Sequence, residues 1–437
     1  MIESPPSVQV DEKAMGLYMK ERALIDTIND DYLYWDKVKY KAQSIGVAPE
    51  VLWSSVKIVR VLIHRTLQFN NYGFNFSITN YITEALNYFD MNAGGIMASN
   101  TVMPEREKQK FLISSIMEEA ISSSQMEGAS TTRQRAKEIL RKEIKPKSKS
   151  DMMIVNNYVT IKHIAENRSQ NLSPENLLHI HRLISSGTLE NEADEGKFRE
   201  ADDVYVINYQ NSEIVHTPPP ASEIPGLVAE LCHFFNNDST PFIHPIIKAI
   251  TIHFLIGWIH PFVDGNGRTA RALFYWYMLK KGYWLTEYIS VSRIIQGTKV
   301  QYEKAYLHTE RDDNDLSYFI TYNLQAMRKA FEALSIYIAR KQRERMVAAD
   351  FLRIPNINER QAELLGLFLD TPETVLTVKE AENRLRVSNV TARQDLKSLL
   401  DLGLIDAIAE NKVKIKYIRS ARFNEILRGF GIGRQGN

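Results

Sequence analysis

Residues 260–271 read HPFVDGNGRTAR, directly after the apolar run Ile246 to Ile259 and ahead of a stretch that ends in Lys280, Lys281 and Gly282. Lysines followed by glycine are a usual helix ending, so a helix is predicted from about Gly267 to Lys281. Arg268 and Arg271 then lie three residues apart on its first turn. Cations there oppose the helix dipole by a few tenths to about 1 kcal/mol each. A negative group is needed to offset them. Gly265, Asn266 and Gly267 allow a tight turn whose N–H groups an anion can approach closely. Together with two guanidinium groups they form a cradle for phosphates. Asp264 is placed to bind the Mg²⁺ that accompanies a nucleoside triphosphate. His260, ending the apolar helix, is placed to act as a general base over the cradle.

The rest of the chain builds a mainly α protein around this turn. Apolar residues recur at helical spacing through Val51 to Phe69 and Leu316 to Tyr337. At 437 residues the chain is long enough for two or three domains. The expected division is 1–100 as an N-terminal helical domain, 101–345 as the domain carrying the cradle, and 346–437 as a C-terminal domain. With 54 basic and 53 acidic residues the net charge is +1, so any nucleic-acid partner must be read from a local patch. The single cysteine, Cys232, excludes an intrachain disulfide framework and reads as a small buried hydrophobe in a reducing compartment. The first twenty residues lack the pattern of a signal peptide, and Ile246 to Ile259 is too short to span a bilayer. A cytoplasmic protein without a membrane partner is expected.

Two short strand-like runs, Val204 to Ile207 and Ile214 to His216, joined by a polar turn around Gln210 to Ser212, predict a β-hairpin that Pro218, Pro219 and Pro220 terminate. Arg141 to Ser150 reads as a loop between helices.

HPFVDGNGRTAR also resembles, at every defining position, the signature HPFx(D/E)GNGRxxR of Fic-domain enzymes. The resemblance implies a Fic-type helical core and transfer of AMP from ATP to a Ser, Thr or Tyr hydroxyl of a target protein. It implies His260 as the catalytic base and Asp264 as the Mg²⁺ ligand. Gly265, Asn266 and Gly267 become the anion hole, and Arg268 and Arg271 grip the outer phosphates. The hairpin, preceded by Gly196, Lys197, Phe198 and Arg199, takes the place of the family's flap. Val204, Tyr205, Val206 and Ile207 then pair with the target segment as an added strand. Tyr302 is expected to line the adenine pocket. Partners expected on this reading are a target protein, the enzyme itself as a substrate, and a second copy in a homodimer.

Upstream, Ile113, Ile116, Met117, Ala120 and Ser124 mark one helix face, and the same spacing brings Glu127 onto it. A carboxylate at a helix C-terminus before Gly128 is disfavoured by the dipole. An ion pair with the cradle arginines relieves both ends. Ser123 to Gly128 also resembles the inhibitory pattern (S/T)xxxE(G/N) of autoinhibited Fic proteins, in the subgroup with the brake on the N-terminal side. There the glutamate pairs with the second arginine, here Arg271. Some members of the family also remove AMP, using this glutamate to position a water.

From Asn358 onward the order helix, helix, turn, helix, two strands is a winged helix-turn-helix pattern. Thr377 to Glu380 forms a capping box, and Ser388 caps the last helix. Asn389, Arg393, Gln394 and Lys397 are candidates for DNA contact, interrupted by Asp395 and Asp401. Lys412, Lys414 and Lys416 share one strand face. A DNA-binding regulator is therefore the alternative function.

Overall fold

The computed structural model describes residues 2–93, 105–208, 213–238, 240–409 and 415–432. The described chain is mainly helical and divides into two compact units, Met1–Leu334 and Ser335–Asn437. Among the described residues no helix is long and apolar enough to cross a membrane.

Two helices form the centre of the first unit. Pro245–Ile259 opens on a His244 side-chain cap with proline at its first position, and nearly all of it is buried. Asn266–Lys280 is buried almost all round, from Arg268 to Leu279. Helices without a polar face are stable only when other elements cover them. Here the cover includes Glu105–Met126, Lys149–Glu166 and Pro174–Ser185, the last two capped by Ser148 and Ser173. Cys232 is buried on helix Ile224–Asn236, where burial pushes its thiol up to about 11.

Helical spacing from Val51 to Phe69 overreached. The helix Pro49–Ile63 stops at His64, and Arg65–Phe69 pairs antiparallel with Tyr72–Phe76. The turn is made by Asn70, at φ 51°, and Asn71. Phe69, Phe74 and Phe76 face inward, and Phe74 packs edge-on against Phe254 and Trp258 of the central helix. That burial favours the strand over continued helix.

The N-terminal helices also fall in the same unit as the central ones rather than in one of their own. A buried polar network explains this. Lys57 Nζ donates to Asp312 Oδ1 at 2.7 Å, Tyr32 Oη donates to Asp315 Oδ2 at 2.6 Å, and the buried Arg60 guanidinium donates to the Tyr318 hydroxyl.

The predicted hairpin is present with shifted bounds. Val206–Asn208 pairs with Glu213–His216, with an irregularity between Val206 and Ile207. Val204 and Tyr205 precede the strand. The turn expected at Gln210 to Ser212 lies outside the described residues.

In the second unit, helices Glu359–Asp370, Val378–Leu385 and Asn389–Asp401 pack over a three-stranded antiparallel sheet. Its central strand, Ile415–Arg419, lies between Val375–Thr377 and Ile405–Ala409. Thr377 and Glu380 form a capping box, and Ser388 accepts from Thr391 N–H. The three-residue strand Val375–Thr377 was missed, being too short to show an alternation. Lys412 and Lys414 lie outside the described residues.

Candidate active site

The turn between the two central helices organises the site. His260 ends the first helix in the left-handed region, φ 48° and ψ 57°. Its Nδ1 lies 3.0 Å from Gly257 O. A carbonyl only accepts, so Nδ1 carries the hydrogen and Nε2 of the neutral ring keeps a lone pair. Burial pulls the imidazole down to about 4, with the nearby His216 acting in the same direction. At neutral pH the ring is uncharged and able to accept a proton.

The turn is pinned from several sides. Asn266 accepts from Phe262 N–H at 3.0 Å and donates back to Phe262 O at 2.8 Å, clamping the ends of the loop. Gly265 caps the second helix at φ 85°, where a side chain is strained. The buried Arg199 donates from Nε to His260 O and from its backbone to Pro261 O, both at 2.9 Å. His181 accepts at Nδ1 from Gly196 N–H and donates from Nε2 to Asp264 O at 2.9 Å, while its ring stacks on Phe262 at 3.7 Å. Burial draws the His181 ring down to about 4, which keeps it neutral in this bridge.

Asp264 turns one carboxylate oxygen to Gly265 N–H and leaves the side chain 53% exposed. Arg268 is the opposite. It is fully buried, its Nη1 donates to Ile184 O at 3.0 Å, and its Nε and Nη2 have no hydrogen-bond partner among the described residues, Nη2 lying 3.9 Å from Asp264 Oδ2. Burial pushes its pKa below the usual value. A guanidinium held dry with two unsatisfied nitrogens is costly unless an anion reaches it.

Arg271 is engaged through Nε and Nη2. Its Nε donates to Ser123 Oγ at 2.8 Å, and its Nη2 to Ser123 O at 3.0 Å and Glu127 Oε1 at 2.7 Å. Glu127 follows helix Glu105–Met126, and Gly128 turns away at φ 92°. The Glu127 carboxylate lies over the second helix start, where a Cβ added to Gly267 would overlap Oε1. Burial alone raises a carboxyl pKa, but Arg271, with Arg268 and Lys299, holds Glu127 below its ordinary value. An internal anion thus sits where dipole, amide groups and two guanidiniums favour negative charge.

Tyr302 lies beside this pair in an aromatic layer with Tyr306 and Tyr322. Its hydroxyl is 2.9 Å from His253 Nε2, and burial raises its phenol to about 12. The hairpin is tied in by His216, whose Nε2 donates to Trp258 O at 2.8 Å, and it leaves Tyr205, Ile207 and Ile214 exposed.

His260, Asp264 to Arg268, Arg271, Ser123 and Glu127 are thus brought together around one turn, with Tyr302 adjoining. Asn389, Arg393, Gln394 and Lys397 belong to the second unit. His181 and Lys299 were not read from the sequence, and Arg199 was noted only as part of GKFR. His181 and Arg199 act mainly through bonds to backbone groups and Lys299 through its charge, which leaves no local pattern.

Residues 171–278 match the sequence model of the Fic/DOC family. The chain is similar to "Protein adenylyltransferase Fic" of Drosophila virilis, 31% identical over 109 residues, which is 25% of this chain and 20% of that protein. It is 32% identical over 112 residues to "Protein adenylyltransferase fic-1" of Caenorhabditis briggsae, 26% of this chain and 20% of the relative. The match therefore spans about a fifth of the length of these relatives. A solved structure of a Fic family protein from Desulfovibrio desulfuricans G20 has the same fold, with a TM-score of 0.50 at 20% identity, covering 79% of this chain and 97% of that one.

Proposed function

Residues 171–278 form a Fic/DOC-family domain, and from that premise we propose that the chain transfers AMP from ATP to a hydroxyl side chain of a protein, restrained by Glu127. The observation that carries this reading is Arg268, buried with two unpartnered nitrogens beside a helix start and a neutral histidine. An anion fits there, and the polyphosphate of ATP satisfies both nitrogens.

The acceptor hydroxyl gives its proton to His260 Nε2 while its oxygen attacks the α-phosphorus. The bond to the β-phosphate bridging oxygen breaks, and pyrophosphate leaves. Catalysis of this type rests on positioning and charge stabilisation. The Gly257 carbonyl and Arg199 hold His260 in place, and Arg268 with the helix start stabilises phosphate charge. Among the described residues no three His, Cys, Asp or Glu side chains group to hold a metal. Asp264 alone suits Mg²⁺, which is commonly held by one or two carboxylates together with substrate phosphates. When bound it would supply charge neutralisation on the phosphates. The exposed strand Val206–Asn208 is suited to adding the target segment as a further strand, with Val204 and Tyr205 leading into it. Tyr302 is the candidate wall of the base pocket. Glu127 competes for Arg271 with the outermost phosphate, so ATP binds with its α-phosphorus out of line until the carboxylate leaves.

ATP labelled at the α-phosphate tests the proposal. Glu127→Gly is expected to raise protein labelling, self-labelling included, by about tenfold or more, the equivalent of 1.4 kcal/mol lost from the brake. His260→Ala in that background should lower it by about 10²–10⁴-fold. Equal labelling by wild type and Glu127→Gly would dismiss the brake. Label arriving only from the γ-phosphate would dismiss AMP transfer.

A further inference from the structure

We propose that the unit 335–437 binds double-stranded DNA through the exposed face of helix Asn389–Asp401, a winged-helix mode of docking. The near-neutral chain conceals an uneven division of charge. Residues 335–437 carry 18 Lys and Arg against 13 Asp and Glu, a net of +5, so the total of +1 leaves the first unit at −4. A basic module on an acidic partner unit marks where a polyanion is attracted.

Read as sequence, Asp395 breaks the basic face of this helix. The structure removes it. Asp395 is only 2% exposed, accepts from Arg360 Nε at 2.6 Å and Nη2 at 3.0 Å, and from Asn358 Nδ2 at 3.1 Å. Its charge is neutralised on the core side, with Leu396 and Leu399. The outer face is left with Val390, Arg393, Gln394 and Lys397, all exposed, with Val390, Arg393 and Lys397 about one helical turn apart and Gln394 beside Arg393. Asp401 comes only at the far end. Asn389 is tied to Glu382 and accepts from Arg393 Nε at 2.8 Å, which orients that guanidinium along the helix.

Thirteen residues of helix span about 20 Å, a length the major groove admits. Arg and Gln are the side chains that read guanine and adenine edges there, and Lys reaches phosphate. On the central strand Lys416 alternates with the buried Tyr417, so it faces away from the core that Tyr417 joins. A protein-docking face has a charge-depleted, aromatic centre. This face has charge at its centre and no aromatic residue, with Val390 at one end and Leu400 at the other.

The test uses the full chain and a fluorescent 20-base-pair duplex of mixed sequence, titrated by anisotropy between 50 and 200 mM KCl. Binding should weaken steeply with salt. The double variant Arg393→Ala, Lys397→Ala should bind at least about tenfold more weakly at 50 mM and lower the log–log salt slope by about 2. Should that variant unfold, Gln394→Glu, which puts one negative charge on the same face, should weaken binding with the fold kept. Neither substitution alters a residue of the cradle, so AMP transfer is expected to be unchanged. Absence of binding at 50 mM, or binding that these variants leave untouched, overturns the proposal and gives the face to a protein partner.

Discussion

Gly267 has no side chain because a carboxylate occupies the space one would take. A Cβ there would overlap Glu127 Oε1 and come within 3.3 Å of Arg271 Nη1. The same close approach is what a phosphate needs at a helix start. Gly267→Ala therefore has opposed effects, since it expels the brake and blocks the ligand. Setting the brake aside separates them. In a Glu127→Gly background, Gly267→Ala should slow α-phosphate transfer by about 10²-fold, the loss that a misplacement of about 1 Å can cause. An unchanged initial rate would mean that phosphate does not approach this backbone. The residue scale is also where the sequence was most legible. Arg268 and Arg271 sit where the dipole disfavours them, and that local conflict alone requires an anion. The charge conflict by itself left open which arginine meets Glu127, and the resemblance to autoinhibited Fic proteins implied Arg271. In the structure Arg271 Nη2 donates to Glu127, whereas Arg268 Nε and Nη2 have no hydrogen-bond partner among the described residues and Nη2 meets Asp264 Oδ2 only at 3.9 Å.

At the level of elements, the two central helices are joined by a loop too short to be held by its own packing. Asn266 closes it with a donor and an acceptor, both aimed at Phe262. Asn266→Ala leaves a buried N–H and C=O without partners and should cost about 2–6 kcal/mol, at about 1–3 for each orphaned group. A urea midpoint measured on tryptophan fluorescence reads this, and a midpoint equal to wild type would show that another group closes the loop. Elements with strong caps and all-round apolar composition, such as Pro245–Ile259, were legible because burial and local signals agree. The hairpin Arg65–Phe76 was not, since Val51 to Phe69 continues at helical spacing past His64. What makes it a strand is Phe74 seated on Phe254 and Trp258, residues about 180 positions away. The predicted hairpin near residue 206 fared better, because prolines bound it on one side.

Across the whole molecule, the N-terminal helices share a core with the segment 312–318 through Lys57, Arg60 and Tyr32, contacts spanning more than 250 residues. No periodicity foretells such pairs, which is why three domains were expected where two units form. The large first unit also gathers all ten histidines and all five tryptophans of the chain. Five of those histidines are pulled down by burial, among them His181 and His260 to about 4 and His253 and His308 to about 3, with His163 shifted in the same direction. In the unfolded chain each titrates near 6.5. Below that pH the unfolded state binds protons that the native state refuses, so stability fully present above about pH 6.5 is lost as pH falls toward 4. Each histidine contributes a slope of up to about 1.4 kcal/mol per pH unit. Glu127 and Asp315, held below their ordinary values despite burial, Glu127 chiefly by Arg271 and Asp315 by His64, Lys57 and Arg60, add a further loss at lower pH still. Tryptophan fluorescence reports this unit alone, so its urea midpoint should drop markedly between pH 7.5 and pH 5.0. His308 stacks on Tyr34 at 3.7 Å, and its Nε2 has no hydrogen-bond partner among the described residues. His308→Phe keeps the stacking and removes one titrating group, and should reduce the drop by about one proton's share. A midpoint that does not move with pH would mean that these rings are reached by water in the folded protein.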